Sequence, residues 1–460
     1  VLLALAFIAC TLASSGGAKV ALNAKTLTAM FQEELPAFAK SFSTGVPAVH
    51  HPFKVLLTDG YANLTNIMLN HTEIDISKAS VSLADPDTIV AHIGSITLFI
   101  ECDYYIKFGL LHFSGHGSFV LKDSEIHLPT ILTPSIFGAY NIQFHNSTFT
   151  FGKLDVKTEN ILLTGAIKAA YAALKKKLEP TVSAGFDQAG QYISVFTLGL
   201  NYFPTLVGGL NIDSHPVGPV VVSGNKFATL PINGTVFNKT DFSQFGGSME
   251  SDLPDIDPSV SSNQVLLSDY FWNSLLFAKY GKLDAEITQL PDGTPVDSTV
   301  ISKVYSNFLT TYGEAPAIVS AKAYNINSGP ISVTTTNLDL ILDYSVQFVT
   351  KVQQENGWVD AVTSQATLTY TGTAIVNNNK LTLHFSAVAV KDVATLQSGF
   401  PVNDADVQQN LQNLATEEID ALNLQLLEMP LELPTHFLGL PIKNQTLVLE
   451  DAYTTYSFST

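Results

Sequence analysis

The sequence predicts an α+β fold in which two similar domains, both rich in β-strand, follow each other along the chain. Three observations lead to this prediction. Long stretches alternate apolar and polar residues with a period of two, which is typical of antiparallel strands. A few segments place apolar residues at steps of three and four, as on one face of a helix. Each half also runs in the order helix, strands, helix, strand, although no repeat is visible residue by residue.

Length and composition agree with two folded domains. The chain has 460 residues, of which 46% are hydrophobic and 14% are charged. One hydrophobic core rarely keeps growing beyond about 250–300 residues, so this length favours two cores. The high apolar fraction excludes a disordered chain.

The first residues predict a partial signal peptide over residues 1–17. An apolar run ends in small residues, in "VLLALAFIACTLASSGGA". The run is shorter than the roughly 20 apolar residues that a membrane span needs. We therefore expect a secreted, extracellular protein. Six N-x-[ST] sequons agree with that route and are candidate glycosylation sites: Asn63, Asn70, Asn146, Asn233, Asn238 and Asn444.

The two cysteines cannot form a disulfide in the mature chain. Cys10 falls within the predicted signal peptide, which leaves Cys102 alone. Cys102 lies in the strand-like run "TLFIECDYYI", so we expect a buried, unreactive thiol.

The first domain is predicted over residues 18–222. Its opening helix places Leu27, Phe31, Leu35 and Phe38 on one face, and Pro36 is expected to kink or end it. Alternating segments follow from residue 53 to about 151 and predict antiparallel strands. A second helix then aligns apolar residues at steps of three and four, namely Ile167, Tyr171, Leu174 and Leu178.

The residues from 223 to 263 are rich in Gly, Pro, Ser, Asn and Asp and predict a linker. The second domain follows over residues 264–460. Its first helix, in "LLSDYFWNSLLFAKYGKL", is expected to be capped by Ser268 or Asp269 and carries Phe271 and Leu275 on one face. Long strands come next, and one of them, in "LDLILDYSVQF", alternates apolar and polar residues. The last helix aligns Val407, Leu411, Leu414 and Leu422.

The charge of the chain makes a nucleic-acid partner a poor fit. All 23 basic residues are lysines, 41 residues are acidic, and the formal net charge is −18. A surface that reads phosphates needs clustered cations, arginine above all. An anionic membrane is repelled on average, although a local basic patch could overcome that repulsion. The one visible lysine cluster, at residues 175–177, is expected at the end of a helix.

No pattern of catalytic or metal-binding residues is evident. The segment "SGHGS" has histidine where a nucleophile elbow needs serine, which disfavours a secreted esterase. His112 and His116 would face the same side of a strand, with His127 in the next one, but no further zinc ligand can be placed. We therefore expect a protein that is not an enzyme and needs no cofactor or metal.

The segment "LLSDYFWNSLLFAKYGKLDAEI" after the linker resembles the family of bactericidal/permeability-increasing protein, lipopolysaccharide-binding protein and the plasma lipid-transfer proteins, in the tubular lipid-binding superfamily. Weaker similarity lies in "AYNINSGPISVTTTNLDLILDYSVQFV" and "SGFPV". The resemblance implies two barrel-like domains, each a twisted antiparallel sheet wrapped on a long helix, joined by a central sheet in a boomerang. Each domain would hold phospholipid or another acyl-chain lipid in an apolar pocket.

The helix faces described above would line those pockets. The candidate lipid-binding residues are Leu27, Phe31, Leu35, Phe38, Ile167, Tyr171, Leu174, Leu178, Phe271, Leu275, Val407, Leu411 and Leu414. The chain departs from the family in two respects: the disulfide of the first domain cannot form, and the first domain shows no cationic tip in "DGYANLTNIMLNHTEID".

The leading hypothesis is a secreted lipid-binding or lipid-transfer protein whose partner is lipid, with a membrane or lipoprotein surface as a further candidate. One alternative is an innate-immune protein that binds bacterial lipopolysaccharide, which requires a local cationic tip. Another is a structural secreted glycoprotein whose barrels are filled by its own side chains.

Overall fold

A computed structural model gives the architecture. It describes residues 17–41, 45–46, 49–55, 58–134, 140–155, 202–204, 210–238, 253–280, 284–328, 332–333, 338–377, 380–428, 430–432, 436–437, 440–450 and 453–460, together with helical residues at 167–168, 171–172, 175–176, 179–180 and 182–184.

The described helices are α1 (Ala24–Ser41), α2 (Asp269–Tyr280), α3 (Ser298–Val304), α4 (Phe308–Tyr312) and α5 (Asp404–Glu428), with a short 3-10 turn at Ile76–Lys78. The strands of the first half are β1 (Ala18–Asn23), β2 (Gly45–Val46), β3 (Val49–Val55), β4 (Thr58–Ile74), β5 (Ala79–Ala84), β6 (Thr88–Phe108), β7 (Leu111–Pro134), β8 (Tyr140–Phe144), β9 (Thr148–Thr150), β10 (Lys153–Asp155), β11 (Tyr202–Pro204), β12 (Leu210–Asp213), β13 (Val221–Ser223), β14 (Phe227–Ile232) and β15 (Val236–Asn238). The strands of the second half are β16 (Asn263–Ser268), β17 (Asp284–Ile287), β18 (Ala317–Ser328), β19 (Ser332–Val333), β20 (Leu338–Gln354), β21 (Gly357–Asn377), β22 (Lys380–Ser398), β23 (Leu431–Glu432), β24 (His436–Phe437), β25 (Leu440–Pro441), β26 (Lys443–Glu450) and β27 (Tyr453–Ser459).

These strands form antiparallel sheets, which confirms the predicted α+β class. A nine-stranded sheet in the first half runs β10-β7-β6-β4-β2, with β3, β5, β8 and β9 paired alongside. A seven-stranded sheet in the second half runs β17-β18-β20-β21-β22-β23, with β19 beside β20. A six-stranded sheet, β13-β14-β1-β16-β27-β26, draws strands from both halves of the chain. Smaller sheets are formed by β11-β12-β15 and β24-β25.

Helix α1 begins where Asn23 caps it, because the Asn23 side-chain oxygen accepts a hydrogen bond from the Thr26 N–H at 2.8 Å. Its apolar face packs on the nine-stranded sheet, and Leu35 is only 1% exposed there. Pro36 does not end the helix, which continues to Ser41. The Pro36 ring lies on the exposed side, away from the packed face.

Helix α2 begins three residues later than the apolar run "LLSDYFW" starts. Leu266 and Leu267 belong to β16, which pairs with β1 on one side and β27 on the other. The two ladders fix both leucines in extended conformation, and Ser268 then accepts a hydrogen bond from the Phe271 N–H at the helix start. The sequence therefore places the cap correctly, because the helix follows it.

The predicted linker is partly ordered as strand. Between residues 223 and 263 the chain forms β14, which pairs along its length with β1, and β15, which pairs with β12. Leu253 and Ile256 from the same region are buried against Phe227. A segment that is rich in Gly and Pro and has no sustained hydrophobic period can still form short strands when neighbouring strands provide hydrogen-bonding partners.

Helices α3 and α4 have no counterpart in the sequence prediction. Asp297 caps α3 by accepting hydrogen bonds from the N–H groups of Thr299 and Val300. Both helices pack with the start of α5 around Phe308, which is fully buried and meets Phe400 edge to face at 5.8 Å. Each helix spans fewer than two full turns. Neither is long enough to give a periodic pattern of apolar residues that identifies a helix in the sequence.

Candidate functional site

The larger described cavity lies in the second half, between the seven-stranded sheet and the C-terminal part of α5. Its volume is about 210 Å³. Apolar and aromatic side chains line it, namely Leu342, Tyr344, Val346, Leu368, Tyr370, Leu383, Phe385, Leu422 and Leu426. No charged side chain is among them. We call this space the second-half cavity.

Strand periodicity and register place these side chains on one wall. Residues two apart on a strand face the same side of the sheet, so Leu342, Tyr344 and Val346 of β20 line the cavity together. The antiparallel register sets Tyr344 opposite Leu368 and Leu342 opposite Tyr370 on β21. The wall is therefore a continuous apolar face built across neighbouring strands.

A close approach between β21 and β22 shapes the next part of the wall. A β-bulge shifts the register where Gly372 meets Phe385. A Cβ on Gly372 would lie 2.2 Å from the backbone oxygen of His384 and 2.7 Å from the Cα of Phe385. Glycine is required at this position because no side chain fits between the two backbones. Phe385, which lies at this bulge, is one of the residues that line the cavity.

Helix α5 closes the opposite side and is fixed to β22 by side-chain hydrogen bonds. Asn423 accepts from the Phe385 N–H and donates to the Phe385 carbonyl, each at 2.8 Å. Gln412 makes the same pair of bonds to the Val390 N–H and the Val388 carbonyl, at 2.8 and 2.6 Å. These bonds occupy backbone groups of β22 beyond Leu381, where its pairing with the short strand β23 has ended.

Asn423 lies beside the cavity as well as at this edge of β22. Its neighbours on the helix, Leu422 and Leu426, line the cavity, and so does its partner Phe385. Asn423 itself is 6% exposed. The two hydrogen bonds therefore link α5 to β22, the two sides of the cavity. Because Asn423 is buried, water cannot take the place of these bonds if they are lost.

The polar side-chain atoms of the cavity lining are the hydroxyls of its two tyrosines. The rings of Tyr344 and Tyr370 meet edge to face at 6.2 Å, and Tyr370 meets Phe385 at 5.2 Å. Burial raises the pKa of Tyr370 above the usual value of a tyrosine hydroxyl. The hydroxyl is therefore neutral at physiological pH and available as a hydrogen-bond donor.

A second described cavity lies in the first half, between the nine-stranded sheet and the helical residues near 167–184. It measures about 40 Å³, and its lining residues are Leu64, Ile67, Ile100, Cys102, Ile106, Phe119, Leu121, Leu154, Ile167 and Tyr171. A space this size holds a water molecule or a small group, well short of a lipid chain. The Tyr171 hydroxyl donates to the Gly152 carbonyl at 2.6 Å, and burial raises its pKa to about 12.

Cys102 is buried in that wall, as the sequence predicts. Its side chain is 1% exposed and carries no disulfide. Burial, aided by the neighbouring Asp103 carboxylate, raises the pKa of the thiol to about 11. The thiol is accordingly protonated and a poor nucleophile at neutral pH.

The candidate lipid-binding residues of the first half lie in three environments. Ile167 and Tyr171 line the smaller cavity. Phe31 and Leu35 pack in the core between α1 and the nine-stranded sheet, while Leu27 packs beside the six-stranded sheet. The side chains of the remaining candidates, Phe38, Leu174 and Leu178, lie outside the described residues.

The candidates of the second half pack in two parts of the protein core, one beside the second-half cavity and one further from it. Phe271 and Leu275 of α2 are 2% exposed and pack in the cluster that also holds Leu383 and Phe385. The apolar helix quoted above therefore belongs to the same cluster of buried residues as several side chains of the cavity lining. Val407, Leu411 and Leu414 pack instead with α3 and α4, away from the cavity-lining end of α5: they belong to the cluster around Phe308.

Sequence reasoning assigned none of the nine cavity-lining residues as a lipid-binding residue. Two signals pointed towards them. The alternation in "LDLILDYSVQF" places Leu342, Tyr344 and Val346 on a single face, and the helical pattern of the last helix includes Leu422. Neither pattern indicates that these faces surround a space, because that depends on pairing between strands distant in sequence.

The sequons differ in accessibility. Asn146 and Asn444 are exposed, both at positive φ, whereas Asn63, Asn233 and Asn238 are partly buried. The side chain of the sixth sequon, Asn70, lies outside the described residues.

The described residues contain neither a metal-binding cluster nor a helix suited to span a membrane. In that part of the chain no cluster of three or more His, Cys, Asp or Glu side chains could hold a metal ion. His112, His116 and His127 are all exposed, and His116 pairs with Asp103 at 2.9 Å. A search of the same residues finds no helix with the length and apolar character needed to cross a membrane.

Comparison with solved structures identifies a shared fold. The crystal structure of lipopolysaccharide binding protein aligns with 96% of this chain and 98% of its own, at 16% sequence identity and a TM-score of 0.51. P47 of Clostridium botulinum E1 aligns over 97% and 99% at 9% identity with a TM-score of 0.27. Takeout 1 of Epiphyas postvittana aligns over 38% and 88% at 16% identity with a TM-score of 0.22.

The first of these similarities extends over nearly the whole chain and shows that the chain shares the fold of lipopolysaccharide binding protein. The other two have TM-scores too low to add to that conclusion. No protein-family model matches the chain, and no curated protein matches it either.

Proposed function

We propose that this chain is a secreted lipid-binding protein that shields the hydrocarbon part of a lipid from water inside its second-half cavity. The observation that carries the proposal is the cavity itself: about 210 Å³ of space faced by Leu, Val, Phe and Tyr side chains. Ligand sites for apolar molecules have this kind of lining. The shared fold with lipopolysaccharide binding protein supports the same conclusion.

Hydrophobic transfer is sufficient to hold such a ligand. Each methylene group moved from water into an apolar site contributes about 0.8 kcal/mol. Binding therefore needs no charged contact and no catalytic group. The proposal accordingly gives the protein a carrier role, with an acyl-chain lipid as cargo, rather than an enzymatic one.

Binding of lipopolysaccharide itself is disfavoured by charge. Its phosphates would call for clustered cations, and the chain has 23 lysines, no arginine and a formal net charge of −18. Uncharged or zwitterionic lipid fits this composition better.

The test is mass spectrometry of the purified chain under native conditions, followed by extraction and identification of any released lipid. The informative variant is Leu422→Trp, which puts bulk into the second-half cavity. Its matched control is Leu414→Trp, which changes an equally half-buried leucine of α5 that packs away from the cavity.

We expect the unmodified chain and the Leu414→Trp variant to carry lipid and the Leu422→Trp variant to lose most of it. A chain that never carries lipid, under conditions where it is folded, would favour the structural glycoprotein instead. Equal lipid content in both variants would place the lipid elsewhere in the molecule.

A further inference from the structure

The second-half cavity contains one polar group that a purely hydrocarbon ligand would leave unused, the hydroxyl of Tyr370. Its lining side chains are apolar apart from the hydroxyl groups of Tyr344 and Tyr370. Other largely buried tyrosines of the chain use their hydroxyls: Tyr305 donates to Ser364 at 2.9 Å, and Tyr270 pairs with Thr235 at 2.7 Å. A buried tyrosine hydroxyl generally has such a partner.

Tyr370 differs from these. Its contacts among the described residues are ring contacts, with Tyr344 and Phe385, and no hydrogen bond to its hydroxyl is present there. Tyr370 is half-buried, and its hydroxyl is not among the fully buried polar atoms that lack a partner. A ligand oxygen that accepts a hydrogen bond from it would therefore add about one net hydrogen bond to the gain from hydrophobic transfer.

The absence of charge in the lining restricts the ligand further. Among the described residues no lysine or histidine lines the second-half cavity, so a carboxylate or phosphate drawn inside would be desolvated without a cation from them to pair with it. An uncharged hydroxyl or carbonyl group costs much less to desolvate than an ion, and a hydrogen bond from Tyr370 offsets part of that cost.

The size of the space restricts the bulk of the ligand. About 210 Å³ is somewhat more than the roughly 150 Å³ of an apolar protein cavity that admits benzene. It is less than the roughly 300 Å³ at which drug-sized ligand sites begin. A single short hydrocarbon chain fits these limits, and the two chains of a phospholipid do not.

We propose that the second-half cavity selects an uncharged, single-chain amphiphile whose hydroxyl or carbonyl oxygen accepts a hydrogen bond from Tyr370. Its hydrocarbon part lies against Leu342, Leu383 and Leu426. This inference rests on the proposed function, since it names the class of lipid that the cavity holds.

The experiment is calorimetric titration of the delipidated full-length chain with octanol, with octanoate at pH 7 and with a lysophosphatidylcholine; octane is measured by competition with octanol. The informative variant is Tyr370→Phe, which keeps the ring and removes the hydroxyl. The matched control is Tyr456→Phe, which removes a buried hydroxyl that has no hydrogen-bond partner in the described part of the chain and is not among the residues of the cavity lining.

We expect octanol to bind more tightly than octanoate or lysophosphatidylcholine. Tyr370→Phe should weaken octanol roughly two- to twelvefold, as the loss of one net hydrogen bond predicts, and leave octane unchanged. Tyr456→Phe should change neither.

Two results would overturn the inference while leaving lipid binding intact: unchanged octanol affinity in Tyr370→Phe, or tighter binding of lysophosphatidylcholine or octanoate than of octanol. Failure of all four ligands, together with the absence of any copurifying lipid, would instead reject the proposed function itself.

Discussion

Replacing Asn423 by leucine should destabilise the second half strongly, because this side chain satisfies two buried backbone groups at once. Asn423→Leu keeps a similar volume but removes the bonds to the Phe385 N–H and carbonyl, both 2.8 Å long. Each buried group left without a partner costs about 1–3 kcal/mol. The expected loss in the free energy of unfolding is therefore about 2–6 kcal/mol.

The matched control is Gln412→Met on the same helix. Gln412 also makes two bonds to β22, at 2.8 and 2.6 Å, but its side chain is partly exposed. Water can reach the freed groups there, so the expected loss is only the net value of two bonds, about 1–3 kcal/mol.

Urea unfolding measures both losses, and amide hydrogen exchange at Phe385 reports whether the edge of β22 has opened. The Asn423→Leu variant should exchange faster at Phe385 than the Gln412→Met variant. If Asn423→Leu costs no more than Gln412→Met, or if exchange at Phe385 is unchanged, the account of how α5 is fixed to the sheet is wrong.

Further predictions concern the bulge, the thiol and the sequons. Gly372→Ala should cost about 1–3 kcal/mol in urea unfolding, since its Cβ would lie 2.2 Å from the His384 oxygen; unchanged stability would contradict that close approach. The Cys102 pKa is raised to about 11 from about 8.5 in an unfolded chain, so the stability due to its neutral thiol is complete below about pH 8.5 and is lost as the pH rises through 11. Iodoacetamide should accordingly label Cys102 slowly at pH 8 in the folded chain and rapidly in urea, as read by mass; equal rates would contradict its burial. If the chain is expressed through a secretory route, peptide mapping should find glycans first at Asn146 and Asn444, the exposed sequons, and glycans confined to the others would contradict this ranking.

Local sequence patterns predict much of the fold because they reflect local physics. The alternation in "LDLILDYSVQF" gives the inward face of β20, and the spacing from Val407 onwards gives α5. The start of α2 follows from its cap at Ser268. These features depend on residues close together in the chain, which is why a single sequence contains them.

The second-half cavity could not be predicted in the same way. Its wall depends on the register that sets Leu342 opposite Tyr370, on the bulge at Gly372 and on the hydrogen bonds of Asn423 to a strand 38 residues earlier. Most of the described helix residues that the sequence offered as lipid contacts belong to clusters of buried residues, and Ile167 and Tyr171 line the smaller cavity. An apolar side chain looks the same in a sequence whether it faces another side chain or an open space.

The most direct test of the central claim is a crystal structure of the chain purified without detergent, at a resolution that shows side chains. We predict elongated density between β20, β21, β22 and α5, with a polar end within hydrogen-bond distance of the Tyr370 hydroxyl. A cavity closed by Leu422 and Leu426, with no density other than that of the protein, would contradict the claim.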